Sequence, residues 1–249
     1  MKEPYRSKLS NNLKSYLANA ILDSPENARR LRKHFTAVSG KSNQITIKSG
    51  LVRKSAGWLA RLATKSFDLV QGPALAEFGW NAIKPNQRKL LPLEAAEAKE
   101  VFADALPLYR ITIDENSLIA HAGAKFAGAR NMGVTTFYTI NFTRKLKCKK
   151  GNSDMAWLIH ELVHVAQMQQ VGSQYTVEAL HAQFTDGYNY GGPKALKDKA
   201  LCEFNREQQA MIIEDYYQYI LQGRKHRKHG ILPKGLYEEK VEELRKGDI

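Results

Sequence analysis

His160, Glu161 and His164 follow one another as His-Glu-Xaa-Xaa-His inside the stretch Trp157 to Gln170, WLIHELVHVAQMQQ. Residues four apart on a helix stack on one face, so the two imidazoles can grip one metal ion while Glu161 reaches the ion's open side. Neutral imidazoles as ligands and a neighbouring carboxylate as a base for water are the parts of metal-assisted hydrolysis. The segment is apolar almost all round, through Leu158, Ile159, Leu162, Val163, Val165 and Ala166, and is therefore expected to be buried. Buried imidazoles and a buried carboxylate need partners, and a metal ion supplies one directly.

The element that must carry this group is a helix of about four turns, with Ser153 or Asp154 as its N-cap and Gly172 ending it. A catalytic zinc takes three protein ligands and keeps one position open, so the histidine pair is incomplete. The extended HExxHxxGxxH arrangement is absent, because Gln167 and Gln170 occupy its later places. A distal carboxylate is expected instead, from Glu178, Asp186, Glu203 or Glu207, with His181 as the imidazole alternative. The apolar spacing over Lys194 to Leu221 predicts one long helix, which puts Glu203 and Glu207 one turn apart on one face. Spacing does not choose between them.

Zinc held this way lowers the pKa of water and polarises a carbonyl, and Glu161 would take the proton during attack. A second donor for the developing oxyanion could come from Tyr188 or Tyr190 on the glycine-bounded loop DGYNYGGP, or from His181. Val134 to Phe142, VTTFYTINF, reads as a strand whose edge could receive an extended peptide. Before it, Leu93 to Leu106 predicts a helix and Tyr109 to Asp114 a strand, while HAGAKFAGARNMG reads as a turn-containing connection.

The chain has 249 residues and is 43% hydrophobic, enough for a real core. No apolar run is long enough to span a membrane, and the N-terminus lacks the continuous apolar core of a secretory signal. Synthesis in the cytoplasm is expected. Cys148 and Cys202 are too few for a disulfide framework and read as two inert thiols. Of the net charge of +13, residues 1–92 hold +12, from 17 Lys/Arg against 5 Asp/Glu. Helical spacing recurs through the same region, and KPNQRKLLP, polar and bounded by prolines, marks a join. The predicted organisation is a basic, mainly helical region over 1–89 for docking or delivery, a hydrolase domain over 90–222, and a charged, solvated tail over 223–249.

LIHELVHVAQ, the Tyr-Xaa-Tyr loop and FNREQQAMIIEDYY together resemble zincin-type metallopeptidase domains attached to type VI secretion spike (VgrG) proteins. They are also similar to the metallopeptidase-like core domains of extracellular contractile injection systems. The likeness reaches back through LEAAEAKEVFADALPLYRITI and covers about residues 90–222, whereas residues 1–89 carry none. It implies an α+β fold, a mainly helical zincin-like domain with a small sheet, and Zn²⁺ as cofactor. It also implies that the third ligand is Glu207, in the Asn-Xaa-Glu-Gln-Gln stretch. By helical spacing, Glu203, one turn before it, and Asp215, two turns beyond it, are then candidates for a supporting hydrogen bond to a ligand. Implied with the fold are a peptide or protein substrate and delivery into a target cell by a contractile machine, whose components or an immunity protein would be partners.

A rival reading is a non-catalytic module that keeps its metal as a structural element while the basic region docks an anionic partner. Glu161 argues against it, since a structural zinc fills all four positions with protein ligands and has no use for a base. Nucleic acid is not expected as a partner, because charge alone suggests it and no helix-turn-helix, zinc-finger or RNA-binding signature is present.

Overall fold

A computed structural model describes residues 87–172 and 187–249, and every structural statement below concerns those residues. The expectations for the basic N-terminal region up to residue 86 lie outside the described residues, as do Glu178, His181 and Asp186. Apart from Val171 and Gly172, the described residues belong to one unit, Lys84–Gln170 with Val177–Ile249.

Four short strands make one mixed sheet: β1 (Gln87–Lys89), β2 (Thr112–Glu115), β3 (Gly133–Thr136) and β4 (Thr139–Phe142), in the order β1-β2-β4-β3. β2 and β4 run parallel, with Ile113 beside Ile140, and each is flanked by an antiparallel edge strand. The chain reaches β2 from β1 through helix α1 (Pro92–Phe102) and a 3₁₀ turn at Leu108–Arg110, and it crosses from β2 to β3 through α2 (Leu118–Ala127). The long helix α3 (Ser153–Val171) follows β4. After it come α4 (Pro193–Asp198), a 3₁₀ turn at Leu201–Glu203, α5 (Arg206–Asp215), a π-helical turn at Tyr216–Leu221 and α6 (Lys234–Lys246). Helices with a small sheet make this an α+β protein, and none of the described helices is long and apolar enough to cross a membrane.

Strand alternation divides the sheet's two faces between two helices. Ile113, Ile140 and Phe142 point into the apolar core with Leu158, Ile159 and Leu162 of α3, and the Phe142 ring meets Trp157 edge-on at 4.7 Å. On the opposite face α2 covers Val134 and Asn141: Gly123 lies against Val134, and the Ser117 hydroxyl donates to Asn141 Oδ1 at 2.9 Å. β3 is the edge strand nearest the start of the His-Glu motif.

Several elements differ from the sequence expectation. The stretch expected as one strand over 134–142 is a hairpin, turned at Phe137, whose φ of 54° is left-handed, and Tyr138. The expected connection HAGAKFAGARNMG is largely helix, because alanines with lysine near the end favour α2 and Gly128, at φ 66°, terminates it. The N-cap of α3 is Asn152, whose Oδ1 accepts from Met155 N at 2.9 Å, while Asp154 is paired with Arg144 at 2.6 Å. Gly172 does end that helix region in a left-handed conformation, φ 69°.

The single helix expected over Lys194 to Leu221 is broken. Lys199 is extended, and Asn205 restarts the chain as an N-cap: its side chain accepts from Gln208 N at 2.8 Å, and its own N–H donates to Gln208 Oε1 at 3.2 Å. The segment read as a solvated tail is also different, since α6 buries Tyr237, Val241 and Leu244 in the core. Lys240, buried on the same helix, is neutralised by Glu243 at 2.7 Å and Glu239 at 3.1 Å, and Glu243 also accepts from Leu201 N. The last helix therefore holds the turn that leads into α5. β1, which pairs with β2, lies on the N-terminal side of the predicted join at 89 and is part of the sheet.

Candidate metal centre

α3 projects His160 and His164 from one face, and α5 brings Glu207 to them from 43 residues further along the chain. All three are buried. Glu207 Oε2 lies 3.4 Å from His160 Nε2 and 3.4 Å from His164 Nε2. Ligand atoms around a four-coordinate ion with bonds of about 2.0–2.1 Å stand roughly 3.3–3.4 Å apart, so these separations suit such an ion. Among the described residues this is the one cluster of three or more His, Cys, Asp or Glu side chains able to hold a metal.

The outer faces of both rings are occupied. His160 Nδ1 is 3.0 Å from Glu214 Oε2, and His164 Nδ1 is 2.8 Å from Gln167 Oε1. A carboxylate can only accept, so His160 gives its Nδ1 hydrogen to Glu214, and its Nε2, facing Glu207, is the nitrogen that can hold either a second proton or a metal ion. Glu214 is itself steadied by Gln218, whose Nε2 donates to its Oε1 at 2.8 Å. Lone pairs of ring nitrogen and carboxylate oxygen that face one another in a buried place repel unless a cation stands among them.

In the metal-free chain that cation is a proton. Burial opposes charge on His160, but Glu207 and Glu214 outweigh it and push the imidazole up to about 10. Burial likewise works against ionising Glu207, yet the two imidazoles hold its carboxyl well below the usual carboxylate range. A pH dependence follows. The His160 value in the folded chain is raised above its ordinary 6.5, so the stability it contributes is fully present below that value and is lost as pH rises through about 10. Metal must displace the same proton, so apparent affinity should climb about tenfold per pH unit across the neutral range. Chelator competition at several pH values measures this slope, and a flat profile would contradict it.

Glu161 stands on the sheet side of α3. The Thr135 hydroxyl donates to its Oε2 at 2.9 Å, fixing the carboxylate against β3. Gly133, two residues earlier on the same face of β3, leaves the space that Glu161 fills: a Cβ there would come within 2.2 Å of Oε1. Neither Thr135 nor Gly133 was signalled by the sequence as part of the site, since only the pairing of β3 beside α3 brings them in.

The two loop tyrosines part company. Tyr188 is half-exposed with its ring centroid 6.0 Å from that of His160. Tyr190 is committed elsewhere: its hydroxyl lies 2.5 Å from Asp215 Oδ2 and 2.6 Å from the Tyr237 hydroxyl, which ties the loop to α5 and α6. This corrects the expectation of Tyr190 as an oxyanion donor, and also that of Asp215 as a partner of a metal ligand. Asp215 serves the Tyr190 anchor, and burial, partly countered by the Tyr190 hydrogen bond, pushes its carboxyl up to about 6. Glu203 is exposed, and its carboxylate accepts from Ala200 N at 2.7 Å to cap its own turn. It therefore has no part in supporting a ligand. Cys148 and Cys202 are both free thiols.

No family model, no curated protein and no solved structure matches this chain.

Proposed function

We propose that the chain is a zinc-dependent, zincin-like peptidase in which His160, His164 and Glu207 hold the metal and Glu161 is the general base. The observation that carries this reading is the convergence of three buried ligand atoms from His160, His164 and Glu207, the two histidines lying on the helix that also carries the buried Glu161 next to His160. A structural zinc would call for a fourth protein ligand, and among the described residues the cluster has three. Bound there, zinc would supply a Lewis acid for the scissile carbonyl and lower the pKa of water.

The chain's own residues supply the rest. Glu161 takes the proton of the attacking water and passes it to the leaving amine nitrogen, while the Thr135 hydrogen bond keeps its carboxylate in one orientation. β3 pairs on one side only among the described residues, so an extended peptide can add to its other edge and run past Glu161. Tyr188, beside His160, is the candidate donor to the oxyanion. The sequence resemblance adds an effector role: synthesis in the cytoplasm, carriage by a contractile injection machine, and machine components or an immunity protein as partners.

The decisive experiment is metal analysis of the purified chain, combined with proteomics of new N-termini in cells expressing it or its Glu161→Gln form. Stoichiometric zinc with cleavages that vanish in the variant is the expected outcome. Zinc without such cleavages would favour the structural-module reading, and no stoichiometric metal would remove the site.

Gly133→Ala offers a second check on the role of β3. The added methyl would collide with a carboxylate that Thr135 holds in place, so Glu161 must move. Zinc content is expected to stay at the wild-type level while hydrolysis falls, and unchanged hydrolysis would show that the orientation of Glu161 does not matter.

A further inference from the structure

Two glutamines behind His164 form a chain of amides whose orientation can be worked out from its far end. Gln209 Nε2 lies 3.1 Å from Leu201 O and 3.0 Å from Phe204 O. Backbone carbonyls only accept, so this end of Gln209 must be the amide nitrogen, and its oxygen must face the other way. That oxygen lies 2.8 Å from Gln167 Nε2, and the same nitrogen lies 2.9 Å from Arg206 O. Both neighbours accept, so Gln167 must present its NH₂ to them. Its Oε1 is thereby turned to His164 Nδ1, at 2.8 Å. An oxygen there accepts a hydrogen and cannot give one.

We infer that Gln167 and Gln209 are positioning residues that lock His164 as the Nδ1–H tautomer and so keep its Nε2 lone pair aimed at Glu207. Both amides are fully buried, at 0% and 1% exposure, so no water competes for their groups. The three carbonyls that set the direction belong to Leu201, four residues before the N-cap Asn205, to Phe204, directly before it, and to Arg206, the first residue of α5 and the neighbour of Glu207. The segment that delivers the third ligand also dictates the tautomer of the second. A histidine that is ready to bind metal is thus a consequence of α5 being docked on α3.

This inference rests on the proposed metal site, but its test does not need metal. Long-range ¹H–¹⁵N correlation spectra of the metal-free wild-type chain report the tautomer of His164 in its neutral form. Nδ1–H is expected, and a predominantly Nε2–H ring would overturn the inference without any variant. Gln209→Met removes the clamp on Gln167 and should move His164 to a mixture of tautomers, with zinc affinity falling about 10 to 100-fold in chelator competition. A folded Gln209→Met chain with both tautomer and affinity unchanged would also overturn it. An Nδ1–H ring in a chain that binds no zinc would leave the relay standing and remove the metal reading instead.

Discussion

Glu161→Gln is expected to keep fold and zinc and to lose peptide hydrolysis by about 10² to 10⁴-fold, the usual contribution of a positioned general base. The substitution is close to isosteric. A glutamine oxygen can still accept the Thr135 hydroxyl where the carboxylate does now, at 2.9 Å, so the side chain need not leave its place beside Gly133. What disappears is the capacity to take a proton. Turnover of the first substrate identified by its new N-termini, measured on wild type and variant with equal zinc content, gives the ratio. Equal turnover would sink Glu161 as the base and with it the catalytic reading.

The second large effect concerns metal affinity. Glu207→Ala takes away the oxygen that lies 3.4 Å from both ring nitrogens, leaving two ligands where a catalytic zinc needs three. The loss should exceed the roughly 100-fold that removal of an outer hydrogen-bond partner can cost. Glu203→Ala should leave affinity at the wild-type level, because that carboxylate caps an exposed turn and is not on α5. Competition of each metal-free variant against a calibrated chelator ranks them, and an affinity loss for Glu203→Ala as large as that for Glu207→Ala would refute the assignment.

The helix bearing His160, Glu161 and His164 was legible in the sequence because its apolar periodicity, its flanking cap residues and its motif all lie within one continuous stretch. The partner of His160 was missed for a reason that helix geometry supplies. At 100° per residue, Glu214 stands about 20° from Glu207 around the axis, whereas Asp215 stands about 80° away. Asp215 is two turns from Glu207 in count but lies off the face that carries it. Glu203 was misplaced because the broken helix was read as one, although Asn205 with Gln208 three residues later is a capping-box signal that marks a fresh start. The hairpin at Phe137 and the small-residue helix α2 were hidden because short alternating and alanine-rich segments suit more than one local structure. Gly133, Thr135 and the Gln167–Gln209 pair become part of the site only through contacts between distant segments, which no local pattern encodes.

The ligands come from two helices with 42 intervening residues between His164 and Glu207, and this makes an ion at the site a staple between α3 and α5. The histidine pair survives as a local motif in an unfolded chain, but the three-ligand set exists only when both helices are docked. With zinc as the proposed ion, free zinc would favour the folded state by mass action, by about 2.7 kcal/mol at a hundred times the dissociation constant, less whatever the unfolded histidines bind. The melting temperature should rise with free zinc. In a zinc-starved compartment the same chain would be easier to unfold and easier to degrade, so its lifetime would follow the zinc supply of wherever it is found.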